Sequence, residues 1–149
     1  MLVGEYCNRE VVVVEEEKSV TEAAAIMRQY HVGDVVICKA KYGKQIPVGI
    51  ITDRDIALEI VAKGTDPESI RVGDAMSFDL TTVTEHDDLM HVIELMRDKG
   101  IRRVPVIDTD EALVGILTVD DIVDLLSEVL VDLAHLVDRQ KRRETRLRP

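Results

Sequence analysis

The chain has 149 residues, 46% hydrophobic and 32% charged, with 4 prolines and 8 glycines. That length suits one domain or two small ones sharing a core, and the mixture is that of a folded protein rather than a disordered one. With no Trp, one Phe and three Tyr, the core must be built from Val, Ile, Leu, Ala and Met, and stacking platforms for bare nucleic-acid bases are not expected.

The net charge of −10 is unevenly spread, because residues 139–149 hold six Lys/Arg and one Glu while the body before them is strongly acidic. An acidic body repels phosphate backbones at long range, so nucleic acid is not an expected partner and any nucleotide must be held by local donors. The apolar run Val11–Val14 is far short of the roughly 20 residues that span a bilayer. Glu5 precedes any apolar run at the N-terminus, which is not the pattern of a signal peptide. Cys7 and Cys38 lie far apart with no Cys/His motif around them. Reduced thiols and a cytoplasmic location are therefore expected, with no membrane contact.

In chain order, Val3-Gly4-Glu5 is followed by a short strand at Val11–Val14. Ser19-Val20-Thr21-Glu22 reads as a capping box that starts a helix through about Tyr30, with Val20, Ala23, Ala24, Met27 and Tyr30 at helical spacing. Val35–Lys39 and Val48–Thr52 form a hairpin around a solvated loop between Lys39 and Pro47, and Asp53 to about Lys63 is a second helix closed by Gly64. Residues 65–71, containing Asp66-Pro67, read as a linker.

The plan then repeats. Val72-Gly73-Asp74 echoes Val3-Gly4-Glu5 at an offset of 69, and Met96-Arg97 echoes Met27-Arg28 at the same offset. Gly115–Ile122 faces Gly49–Ile56 at an offset of 66, so copy one has three extra residues in its hairpin loop. Copy two has a helix over Asp88–Lys99 ending at Gly100, a hairpin of Val104–Ile107 with Leu113–Thr118, and a last helix from near Val119. The expected organisation is copy one at 1–64, the linker at 65–71, copy two at 72–130, and a helix extension with a basic tail at 131–149. The fold class is α/β (α+β), two tandem repeats of a short sheet with two helices.

The repeated Val-Gly-acid, the run Arg103-Val104-Pro105-Val106, and Gly-x-x-Thr-x-x-Asp at both Gly49–Asp55 and Gly115–Asp121 resemble the CBS domain family, the cystathionine beta-synthase module that occurs in tandem pairs called Bateman modules. One such heptapeptide is weak evidence, but two at homologous places in a strand-helix-strand-strand-helix repeat are strong. The resemblance covers Val3 to about Leu130. It implies a pseudo-twofold pair packed through its sheets, a regulatory stand-alone module rather than an enzyme, and two clefts for an adenosine-type ligand: AMP or ATP, alternatively S-adenosylmethionine or NAD. No cofactor is required.

Carried over residue by residue, Asp55 and Asp121 take the ribose, while Thr52 and Thr118 contact phosphate or ribose. The physical reading agrees, since free amides at the helix start favour a phosphate and a carboxylate accepts from ribose hydroxyls. The adenine lies among aliphatic residues, near Asn8, Val11, Val32 and Val35 in copy one and near Ser77, Leu80, Ile101 and Val104 in copy two. Arg54, Arg102 and Arg103 are the basic residues near these sites, with guanidinium groups suited to bidentate phosphate binding. Plain helix capping is the alternative reading of both Thr/Asp pairs, and a charged strand edge that of Arg102-Arg103. Asp34 replaces a basic or small residue in copy one, and Asp120 opposes an anion at its helix start. One cleft is therefore expected to be empty or tuned to a ligand with few negative charges.

No catalytic or metal site is expected. His86 and His91, five apart, do not share a helix face. Asp87 with His91 lacks a third ligand, and His31 and His135 are isolated. In the last helix, Ile122, Leu126, Val129, Leu133 and Leu136 alternate spacings of four and three. That seam is either a broad core face or the contact of a homodimer. The basic tail either complements the helix dipole and keeps the tail soluble or is a docking patch for an acidic partner, anionic lipid or nucleic acid. The regulated target is expected to be another protein acting in trans.

Overall fold

The computed structural model describes residues 1–76 and 79–148. Copy one contains α1 (Val3–Tyr6), β1 (Val13–Glu15), α2 (Val20–Tyr30), β2 (Asp34–Lys41), β3 (Lys44–Thr52) and α3, a turn of α-helix at Asp53–Asp55 running into a π-helix at Ile56–Val61. Copy two contains α4 (Val72–Ala75), β4 (Val83–Thr84), α5 (Leu89–Lys99), β5 (Arg103–Ile107), β6 (Leu113–Thr118) and α6 (Val119–Leu147). Each copy builds a three-stranded sheet, β1-β2-β3 and β4-β5-β6, whose first pair is parallel and second antiparallel.

Local chemistry sets the ends of these elements. The Ser19 hydroxyl accepts from Glu22 N while the Glu22 carboxylate accepts from Ser19 N, closing the expected capping box. α5 is capped by Asp88, which accepts from the amides of Met90 and His91. The hairpin of copy one differs from the expected loop: its three extra residues lengthen the strands, and only Tyr42 and Gly43 turn the chain, both with positive φ. That is the two-residue turn whose twist matches the flanking strands. The first strand starts two residues later and ends one residue later than expected, at Val13–Glu15.

The repeated Val-Gly-acid acquires a physical reason that spacing alone did not reveal. α1 packs on copy two and α4 on copy one, so each copy opens with a segment lent to the other. Val3 N donates to Asp87 O and Gly4 N to Glu85 O, while Val72 N donates to Lys18 O and Gly73 N to Glu16 O. Val3 and Val72 are fully buried in the cores they join. A Cβ on Gly4 or Gly73 would meet the carbonyl oxygen of Glu85 or Glu16 at 3.0 Å, so the backbones can approach this closely only at glycine.

The period-2 geometry of β2 divides its side chains. Val35 and Ile37 join the core of copy one with Val20, Ala23 and Met27 of α2, whereas Val36 and Cys38 face Ile116 of β6 across the boundary between copies. In copy two, Val104 and Val106 occupy the equivalent core with Leu89, Val92 and Met96 of α5. The two sheets thus meet through a small third core, and the ends of β3 and β6 are brought beside the other copy.

Candidate functional site

The cleft that follows from this packing belongs to both copies. It has a volume of about 560 Å³ and is lined from copy one by Ile50, Thr52, Asp53, Arg54 and Asp55, and from copy two by Asp79, Leu80, Thr81, Gly100, Ile101, Arg102 and Arg103. That volume falls within the roughly 300–1,000 Å³ of small-molecule sites. Its wall is aliphatic at Ile50, Leu80 and Ile101, and its rim carries three guanidinium groups against three carboxylates.

The Thr/Asp pairs are capping boxes in both copies. Thr52 Oγ1 accepts from Asp55 N at 3.0 Å and Asp55 Oδ2 accepts from Thr52 N at 2.9 Å. Thr118 Oγ1 accepts from Asp121 N at 3.2 Å, while Asp121 Oδ2 accepts from Thr118 N at 2.8 Å and from the Thr118 hydroxyl at 2.7 Å. The expected free amides at the start of α3 are not found. Asp53 N donates to Gly33 O, Arg54 N to Asp53 Oδ1 and Asp55 N to Thr52 Oγ1. Its own sequence satisfies this turn, so an anion in the cleft must rely on the arginine side chains.

Pseudo-symmetry brings Arg103 and Asp34, which stand at equivalent positions of the two repeats, into a 3.0 Å ion pair. Both are largely shielded from water. Burial pushes the Asp34 carboxyl above its ordinary range, Arg103 pulls it back, and the nearby Asp53 carboxylate adds to the rise. The pair ties the start of β2 to the start of β5 beside the cleft.

A backbone difference accompanies the charged one. In copy one Val36 N donates to Val12 O at 3.0 Å. The equivalent of Val36 in copy two is Pro105, which has no N–H. The carbonyl of Thr81, the equivalent of Val12, therefore loses that donor, and Thr81 is a cleft residue.

Among the sequence-expected site residues, Thr52, Arg54, Asp55, Leu80, Ile101, Arg102 and Arg103 come together here. Asn8, Val11 and Val32 lie instead in a separate depression of about 470 Å³ with Glu10, Val12, Val13 and Tyr30. Thr118 and Asp121 hold the equivalent places on β6 and α6 and are not among the residues lining that depression. Val35 and Val104 are wholly buried in the two cores and support the sheets from behind rather than face a ligand. Ser77 lies outside the described residues. Sequence reasoning missed Asp53, Asp79 and Thr81, although the first stands beside Arg54 in the repeated motif and the last two beside Leu80.

Among the described residues no group of three or more His, Cys, Asp or Glu could hold a metal ion, and no helix is long and apolar enough to cross a membrane. Both cysteines are free. Burial raises the Cys7 thiol, and it pushes Cys38 up to about 11.

The chain is 37% identical over 123 residues to an uncharacterized protein of Methanopyrus kandleri, a match covering 83% of this chain and 61% of that protein. It thus spans about three fifths of this relative's length. Among solved structures it resembles the CBS domain pair of protein MJ0100 in complex with 5′-methylthioadenosine and S-adenosyl-L-methionine, with a TM-score of 0.74 and 29% identity over 86% of this chain and 97% of that one. A CBS domain protein from Pyrobaculum aerophilum complexed with AMP gives a TM-score of 0.73 and 28% identity, covering 81% and 89% of the two chains. The family model described as CBS domain matches residues 3–62 and again 72–128. Those two stretches coincide with the two three-stranded units joined by exchanged opening helices, so the chain belongs to the CBS domain family and carries its domain as a tandem pair.

Proposed function

We propose that this chain is a cytosolic regulatory module that binds an adenosine nucleotide, AMP or ATP, in the cleft shared by its two copies and reports occupancy to another protein in trans. It is a sensor and not a catalyst, it requires no cofactor, and it works as a homodimer. The observation that carries the reading is the convergence of Arg54, Arg102 and Arg103 with Asp55, Leu80 and Ile101 in one cleft formed by both copies. The guanidinium groups suit phosphate and the aliphatic wall suits a purine face. Asp55 Oδ2 is committed to the capping box, which leaves Oδ1 for a ribose hydroxyl, and the Thr81 carbonyl can accept from an exocyclic amine. The complexes of similar CBS pairs with AMP and with S-adenosyl-L-methionine support the ligand class.

The route from occupancy to shape runs through Arg103. A phosphate in the cleft competes with Asp34 for its guanidinium and loosens the tie between β2 and β5. Thermal unfolding with AMP, ADP, ATP, S-adenosylmethionine and NAD tests the reading. A ligand that binds only the folded state stabilises it by about 2.7 kcal/mol at a hundredfold excess over its dissociation constant, a rise of roughly 5 °C or more for a chain of this size. A second reading, a ligand-free scaffold dimer, is favoured by one observation: the capping boxes by themselves explain both Thr/Asp pairs. Unchanged melting with every nucleotide would establish it in place of the first.

A further inference from the structure

The last helix continues well past its own domain. α6 has 29 residues, about 43 Å at 1.5 Å per residue. Of its apolar residues, Ile122 is buried and Leu125 packs against the core of copy two. Beyond them, Leu126, Val129, Leu130, Leu133, Leu136 and Val137 are all exposed, Leu133 at 54% and Leu136 at 60%. At 100° per residue these six fall within an arc of about 120°, one continuous stripe. The stripe is therefore not a core face of its own chain.

Charge on the same helix is divided about the stripe. From Val119 to Asp138 the ionised side chains are all acidic: Asp120, Asp121, Asp124, Glu128, Asp132 and Asp138. From Arg139 onward they are Arg139, Lys141, Arg142, Arg143, Arg146 and Arg148, with Glu144 the single acid. A parallel partner would set like charges against like along the whole length, which opposes association. An antiparallel partner sets each acidic half against a basic half.

We propose that the stripe is covered by α6 of a second copy of this chain, running antiparallel and crossing near Leu133. The inference rests on the homodimer reading above and adds its interface and orientation. A crossing there stacks Leu130 on Leu136 and Val129 on Val137 of the second copy, twice by symmetry, as an isologous contact requires. It also brings Arg143 of each copy near Asp121 of the other along one edge of the stripe. The basic end of each helix thereby reaches the Asp120–Asp121 turn of the other copy.

Light scattering and a spin-label distance test this. In a chain carrying Cys7→Ser, with Cys38 buried, a label at Thr145→Cys should lie about 35 Å from its mate in the antiparallel dimer, twice the rise over twelve residues. A parallel pair would place the labels about 10 Å apart. The chain with Arg143→Glu should dissociate at least tenfold more readily, whereas Arg142→Glu, on the helix face opposite the stripe, should leave the dimer intact. A wild-type mass near 16.7 kDa at all concentrations would overturn the dimer reading and this inference together, leaving the stripe to a different protein. A dimer with a short label distance, or one indifferent to Arg143→Glu, would overturn only the inference.

Discussion

The shared cleft and the positions equivalent to it in the repeat differ in charge: the cleft balances three guanidinium groups against three carboxylates, while the equivalent positions hold four carboxylates and no guanidinium. By the repeat offsets Arg54, Arg102 and Arg103 correspond to Asp120, Gly33 and Asp34, and Asp79 corresponds to Glu10, which lies in the separate depression. The Thr81 carbonyl, deprived of a donor by Pro105, corresponds to the Val12 carbonyl, which accepts from Val36 N. Positions that hold the fold have stayed alike: the Val-Gly of each opening helix, the glycine before each Thr, and the Thr/Asp capping boxes. Those that only face the cleft have diverged. A duplicated module can thus keep one architecture while the charge at the equivalent cleft positions changes.

The largest expected effect comes from giving the cleft the residues of the equivalent positions. Arg54→Asp with Arg102→Gly removes two guanidinium contacts, each worth about 1.5–3 kcal/mol when charge-assisted. Nucleotide affinity measured by calorimetry should fall at least a hundredfold. Asp55→Ala should weaken binding about tenfold, whereas Asp121→Ala should leave the cleft's affinity unchanged. Both substitutions lose a capping box, so similar stability losses of about 1 kcal/mol in the two variants act as an internal control. Equal affinity losses in the two would erase the distinction between the cleft and its equivalent positions.

Cys38, whose counterpart in copy two is Ile107, extends the comparison to pH. Its folded thiol titrates at about 11, above the ordinary 9.0, because burial disfavours the thiolate. The unfolded chain therefore releases this proton first as pH rises. The stability this group contributes is complete below pH 9 and is lost between about 9 and 11. Denaturant unfolding of Cys38→Val should show a shallower decline across that window than wild type. A smaller effect is expected at the C-cap of α2. His31 adopts the left-handed φ that Gly100 adopts at the end of α5. His31→Gly should raise stability by about 1 kcal/mol or less in thermal unfolding, since glycine takes this conformation without a Cβ clash.

Local physics was legible without coordinates. Ser19–Glu22 closes as a capping box because both partners are three residues apart on one turn, and Gly100 ends α5 for an equally local reason. The offsets of 69 and 66 exposed the duplication, and with it the two sheets. The Thr/Asp pairs were also read correctly as helix starts, although spacing could not tell that the amides of α3 are already satisfied by Gly33, Asp53 and Thr52.

Everything that required the two copies to meet was decided by tertiary packing. Composition and period place Val3 and Val72 in a core, but only the packed chain shows that each belongs to the core of the other copy. Likewise Arg102 and Arg103 of copy two join Arg54 of copy one in a single cleft, since the ends of β3 and β5 are neighbours only after the sheets pack through Val36, Cys38 and Ile116. The physical reason is range. Capping, turns and hydrophobic periodicity act over a few residues and are written in the order of the chain, whereas the cleft is assembled by contacts about fifty residues apart, which depend on how two already formed units bury their remaining apolar faces.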